Sequence, residues 1–188
     1  MDIKEKMYLL HSLAIGPSPK AMIALTLLGK RPCVELDIYA HNTLPSEIKK
    51  VLETIGLVVI PLSVAGSTNA THTAKFCISL DKTYAEMLAA LVHIREHLAG
   101  IPSDHPYHKL YGVLMSYPLS AIEGFISNTM LSENDPLYPE TAKKNLLAVF
   151  KLSANHWAEE METLIAWEHA LERNAPSILN DLYATIAD

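Results

Sequence analysis

Two cysteines, Cys33 and Cys77, are all the thiol chemistry in this 188-residue chain. They could form one disulfide at most, which excludes the multi-bridge framework of small secreted domains. Both lie in apolar stretches with strand character, so they read as reduced, buried thiols of a cytoplasmic protein. Long hydrophobic runs are missing too. The longest, residues 56–66, is interrupted by Pro61 and Ser63 and falls well short of the roughly 20 apolar residues of a membrane-spanning helix. The N-terminal stretch from Met1 to His11 carries acids among its lysines and a histidine in its apolar part, unlike a secretory signal. Asn69-Ala-Thr71 fits a glycosylation sequon, a string with little weight in a cytoplasmic chain.

Basic charge is also in short supply. Lys and Arg number 15 against 21 Asp and Glu, a net charge of −6. The first hundred residues are nearly balanced, with 10 basic and 9 acidic groups, whereas residues 151–188 carry 2 and 7. An acidic field repels phosphate backbones, so neither nucleic acid nor an anionic membrane is an expected partner. There is no glycine-rich phosphate loop, no G-x-S-x-G elbow and no C-x-x-C pair. These absences remove the sequence support for loop-based nucleotide binding, serine hydrolysis and thioredoxin-like redox chemistry.

What is present is apolar surface: 49% of residues are hydrophobic and only 19% charged, enough to order a core. Ser18-Pro19 ahead of Lys20–Leu28 and Gly29 predicts a short helix. The alternation of Pro32-Cys-Val-Glu-Leu-Asp-Ile-Tyr39 predicts a strand with one wet face. An amphipathic helix over Pro45–Ile55 follows, then strands at Leu57–Ile60 and Lys75–Leu80 joined by a polar loop. From Thr83 onward only helices are expected. Thr83-x-x-Glu86 reads as a capping box for a helix ending near Gly100, with Tyr84, Met87, Leu88, Leu91, Ile94 and Leu98 as its buried stripe. Ser103-Asp104 reads as the cap of a second helix, Pro118 as the start of a third and Asn174-Ala-Pro176 as the start of the last. The apolar stripe over residues 139–173 has a break near Ser153-Ala-Asn155. The expectation is one α+β domain, with a small mixed sheet in residues 1–82 and a helical part in 83–188 packed on it.

Four of the nine histidines fall between His93 and His108. His93-x-x-Glu96-His97 spells the H-x-x-E-H string of inverted zinc peptidases. Two imidazoles four apart on a helix can reach one metal, the glutamate between them serving as general base. His105 and His108 could join such a site, and Glu168 or Glu172 could supply the third, carboxylate ligand. The same histidines also suit the last turn of a helix through its dipole, without any metal.

A second segment, Tyr107 to Ile126, has the spacing of a helix-turn-helix in Gly112, Ser116, Ile122 and Phe125. Its second helix holds no basic residue, so base readout is not expected. The glycine, Tyr117-Pro118, Ala121-Ile122 and Phe125 pattern resembles one found in small uncharacterised bacterial proteins, with Ser116 standing where that pattern has glycine. The resemblance implies no activity.

Further on, the run from Asn155 to His169 reads as a helix with an acidic outer face, on which His156 and Glu160 are four apart. Trp157 and Trp167 read as core or interface anchors. The functional reading is a non-catalytic binding or interaction protein without cofactor, partnered by another protein or by a second copy of itself. The alternative is a zinc-dependent hydrolase with Glu96 as base and His93, His97, His105, His108, Glu168 and Glu172 as the pool of ligands.

Overall fold

A short helix that is apolar around its whole circumference has to be covered on every side, and this requirement organises the molecule. The computed structural model describes all residues except 42, 66–70, 98, 99, 146, 148 and 186–188. In chain order its elements are α1 (Ile3–Ser12), α2 (Pro17–Leu27), β1 (Cys33–His41), α3 (Pro45–Thr54), β2 (Val58–Ala65), β3 (Thr71–Ser79), α4 (Lys82–His97), α5 (Pro106–Leu114), α6 (Leu119–Ile126), α7 (Glu140–Lys144), α8 (Trp157–Asn174) and α9 (Pro176–Ala184). Helix α2 is the apolar one, buried without a break from Lys20 to Leu27. It is enclosed by α1, β1, α8 and α9.

The three strands form one sheet in the order β1-β3-β2, antiparallel at both ladders. The fold is α+β as expected, and its small sheet is antiparallel throughout. Strand β2 is an edge, which is why it tolerates Pro61: a missing N–H costs nothing on the side without a neighbour. The register slips between Pro61 and Ser63, opposite Phe76 and Lys75.

Alternation divides the sheet into two unlike faces. Val34, Ile38, Val59, Phe76 and Ile78 join the main core under α1, α2, α3, α8 and α9. Cys33 and Cys77 lie on the other face in a second cluster with Leu88, Leu91 and Val92 of α4 and Tyr107 and Leu114 of α5. The acidic side of β1 is therefore covered at Cys33 and Glu35, while Asp37 and Tyr39 farther along it are exposed, as its alternation suggested. The buried side of α4 also differs from the stripe its sequence proposed. Ala85, Leu88, Leu91 and Val92 turn inward, while Tyr84, Met87 and Ile94 are exposed. Leu88, Leu91 and Val92 cluster with the two cysteines.

Local chemistry sets several boundaries. Helix α1 starts with a reciprocal capping box between Asp2 and Glu5. The cap of α4 is Asp81 rather than Thr83, with Oδ1 accepting from Thr83 N at 2.7 Å and from Tyr84 N at 3.3 Å. The cap of α5 is His105 rather than Ser103 or Asp104, its Nδ1 accepting from Tyr107 N at 3.1 Å. Gly29, at φ 66°, closes α2: Lys30 N donates to Leu25 O and Gly29 N to Thr26 O, a Schellman turn. That turn delivers Arg31 into the interior. Helices α5 and α6 end in the same way, but with non-glycine residues in the left-handed position, Ser116 and Asn128, both at φ 56°. Trp167 is core, its ring packed edge-on to Phe150 at 6.1 Å.

Candidate functional site

The turn at Ser116 builds a concave surface. Tyr117 N donates to Gly112 O and Ser116 N to Val113 O, folding α6 back against α5. The two helices can close because Gly112 has no side chain: a Cβ there would meet Ile122 Cγ1 at 2.6 Å. The third wall, residues 149–151, is held by the segment that follows it. Ser153 bridges to Met130 beyond α6, and its N and Oγ donate to the two carboxylate oxygens of fully buried Glu160 at 2.7 and 2.6 Å. Glu160, expected on an exposed acidic face, is thus a structural clasp.

Between these walls and Arg95 of α4 lies a pocket of about 300 Å³, in the size range of small-molecule sites. Its lining is chiefly aromatic and apolar: Tyr107 and Tyr111 of α5, Ile122 and Phe125 of α6, with Tyr117 and Phe150. Tyr107 and Tyr111 stack at 5.6 Å and 21°. The His108 ring lies 5.0 Å from Phe125 and edge-on to Tyr107 at 5.2 Å. Exposed Phe125, Val149 and Lys151 form the rim.

The polar groups fall into two sets. One is saturated. Glu35, from the covered face of β1, accepts from Arg95 Nη1 at 3.0 Å, from Arg95 Nη2 and from Tyr111 Oη at 2.9 Å. These bonds to Glu35 hold the Arg95 guanidinium above its ordinary pKa, and burial together with Glu35 raises that of Tyr111. The other set is unsatisfied. Tyr107 Oη and His108 Nε2 are buried and have no hydrogen-bond partner among the described residues. Buried polar groups are rarely left so.

Behind Tyr117 and Phe150 sits Arg31, 3% exposed. Its Nη1 donates to Met22 Sδ at 2.7 Å and its Nη2 to Met115 Sδ at 3.3 Å. The guanidinium lies 5.2 Å from the Trp167 ring centroid, and its Nε has no partner. It takes no part in the ion pairs of the described residues. Burial lowers its pKa, but an arginine remains a cation. Burial raises the phenol of Tyr117, and Arg31 beside it pulls the other way.

The residues singled out by their spacing are scattered. His93 is exposed on α4, and the side chain of His97 lies outside the described residues. Glu96 pairs with Lys75 at 3.2 Å. His105 is occupied as the α5 cap. Glu168 accepts from Tyr183 of α9 at 2.6 Å, and Glu172 is exposed on α8. Among the described residues no three His, Cys, Asp or Glu side chains gather as metal ligands would. Of the six whose side chains are described, only His108 lines the pocket. The thiols of Cys33 and Cys77 are pushed up to about 12 by burial, so they are poor nucleophiles. Tyr117, Ile122 and Phe125 were noted for their spacing only, and Tyr111, Glu35, Arg95 and Arg31 were not singled out by sequence reasoning. The available signals were a carboxylate amid a strand's apolar residues and two tyrosines four apart beside a glycine.

No helix among the described residues is long and apolar enough to cross a membrane. Comparison with family models, with curated proteins and with solved structures found no match.

Proposed function

We propose that this chain is a non-catalytic binding protein that holds a small, mainly apolar molecule in the pocket between α4, α5 and α6. The observation that carries this reading is an aromatic cavity of about 300 Å³ in whose wall a buried hydroxyl and a buried imidazole nitrogen have no partner. A ligand that buries its flat surface against the tyrosines and phenylalanines gains area-dependent stabilisation. If it also carries an oxygen, a small turn of the Tyr107 or His108 ring would let that oxygen accept from one of these atoms, whose desolvation is otherwise uncompensated. The described geometry gives the zinc-dependent alternative no comparable support, since Glu96, His105 and Glu168 each have other engagements.

The test uses a neutral naphthylamine dye that fluoresces in apolar surroundings, together with amide chemical shifts. Ala121 lies in the lining and is buried, so Ala121→Leu reduces the cavity without adding charge. Dye binding should shift resonances of α5 and α6 and should weaken at least tenfold in the variant. Dye shifts confined to another surface, or affinity unchanged in a folded Ala121→Leu protein, would refute the proposal.

A further inference from the structure

We infer that the pocket's ligand is an anion, specifically the carboxylate of a small aromatic acid; this rests on the pocket reading just proposed. Three observations converge on it. The first is the sign of the lining, which contains two cations, Arg95 and Lys151, and no carboxylate. Behind it stand Glu35, already satisfied by Arg95 and Tyr111, and Arg31, which forms no ion pair with a carboxylate among the described residues. In a chain of net charge −6 this local excess of positive charge is a departure from the average.

The second is the chemistry of the unpartnered atoms. Tyr107, 5% exposed, has a phenol whose pKa burial raises, so it is a neutral hydroxyl able to donate. His108 Nε2 can donate in the matching tautomer. Both rings line the pocket with centroids 5.2 Å apart, and a small turn of either ring would offer its buried donor to a carboxylate oxygen in the cavity. A cationic ligand would meet no carboxylate in the lining, since the charge of Arg95 is matched by Glu35 and Lys151 on the rim would repel it.

The third is shape. The stacked Tyr107 and Tyr111, together with Phe125 and Phe150, present flat faces, which favour offset or edge contact with another ring. An aromatic acid puts its ring among these and its carboxylate toward Tyr107, His108 and the positive side. The mixed character of the wall is thereby explained: aromatic side chains supply area, and a few donors supply polarity.

The experiment measures binding of benzoate, phenylacetate and naphthoate, each beside its primary amide, by calorimetry and amide chemical shifts. It uses wild type, Tyr107→Phe, Lys151→Glu and Ala121→Leu. The acids should bind about tenfold more tightly than their amides, because hydrogen bonds to a charged acceptor are roughly twice as strong. Tyr107→Phe should weaken the acids about tenfold, and Lys151→Glu should weaken acids but not amides. Ala121→Leu should weaken both classes. Acids and amides binding equally well, both lost in Ala121→Leu, would overturn the anion inference and leave the pocket reading standing. If neither class perturbs α5 or α6, or if acids bind with affinity indifferent to all three variants, both readings fall.

Discussion

Glu35 is the side chain on which the geometry of the pocket most depends, and replacing it with leucine has a calculable cost. Its carboxylate is 10% exposed and joins β1 to Arg95 on α4 and Tyr111 on α5. Leucine has similar bulk, so cavity formation contributes little. Loss of the carboxylate leaves the Tyr111 hydroxyl buried and unpartnered, which costs about 1–3 kcal/mol. Arg95 also loses its partner, but at 37% exposure it can turn to water, so its share is discounted to about 1 kcal/mol. The expected destabilisation of Glu35→Leu is about 2–4 kcal/mol, a fall in melting temperature of roughly 5–15 °C for a chain of this size. Urea unfolding followed by tryptophan fluorescence would measure it. Tyr111→Phe in the same background should restore about 1 kcal/mol or more, because the orphaned hydroxyl is removed with its cost. A single-variant loss below about 0.5 kcal/mol, the range of ordinary surface changes, would refute the assignment of Glu35 as the anchor of α4 and α5.

Ser116→Gly should stabilise the protein by about 1 kcal/mol, since φ 56° strains any residue with a Cβ; a loss of stability would show that the serine side chain compensates for the strain. The thiols of Cys33 and Cys77 move from an ordinary 9.0 to about 12 on folding, and burial raises the phenols of Tyr107, Tyr111 and Tyr117 as well. Groups raised on folding contribute fully below their unfolded values and lose that contribution as pH climbs toward the folded ones. Stability should therefore fall above about pH 9, outweighing buried Lys20 and Arg31, whose lowered values act in the opposite sense; a melting temperature that rises in that range would contradict it. Treatment with a chelator should leave the melting temperature unchanged, whereas a fall of several degrees, reversed by zinc, would return the H-x-x-E-H string to consideration.

Elements marked by their own residues were legible in the sequence. The early proline and closing glycine of α2, the alternation of β1 and the prolines opening α6 and α9 all act within a few residues. Choices between faces were not legible. Helix α4 carries apolar residues on more than one side, and periodicity alone favoured Tyr84, Met87 and Ile94 over Ala85 and Val92. Proximity to Cys33 and Cys77 decided the matter, and that is a tertiary fact. Glu35 looked solvated because alternation does not reveal whether a second layer will cover the polar face. The pocket was hidden for the same reason. The segment from Tyr107 to Ile126 supplies two of its walls and was read for its helix-turn-helix spacing, but Arg95 and Phe150 come from distant segments, so no spacing connects them to it. Asp2-x-x-Glu5 did announce α1, through a reciprocal cap visible in the sequence but passed over.

The burial of α2 on every side bears on how the chain is made. On a ribosome, residues 17–27 emerge long before residues 157–184 of α8 and α9, two of the elements that enclose them. Strand β1 likewise waits for β3, its only partner in the sheet. Until β3 emerges the chain therefore displays an unpaired strand, and through most of synthesis an incompletely covered greasy helix, the features that recruit chaperones and promote aggregation. A truncation before α8 should yield insoluble protein rather than a smaller folded one.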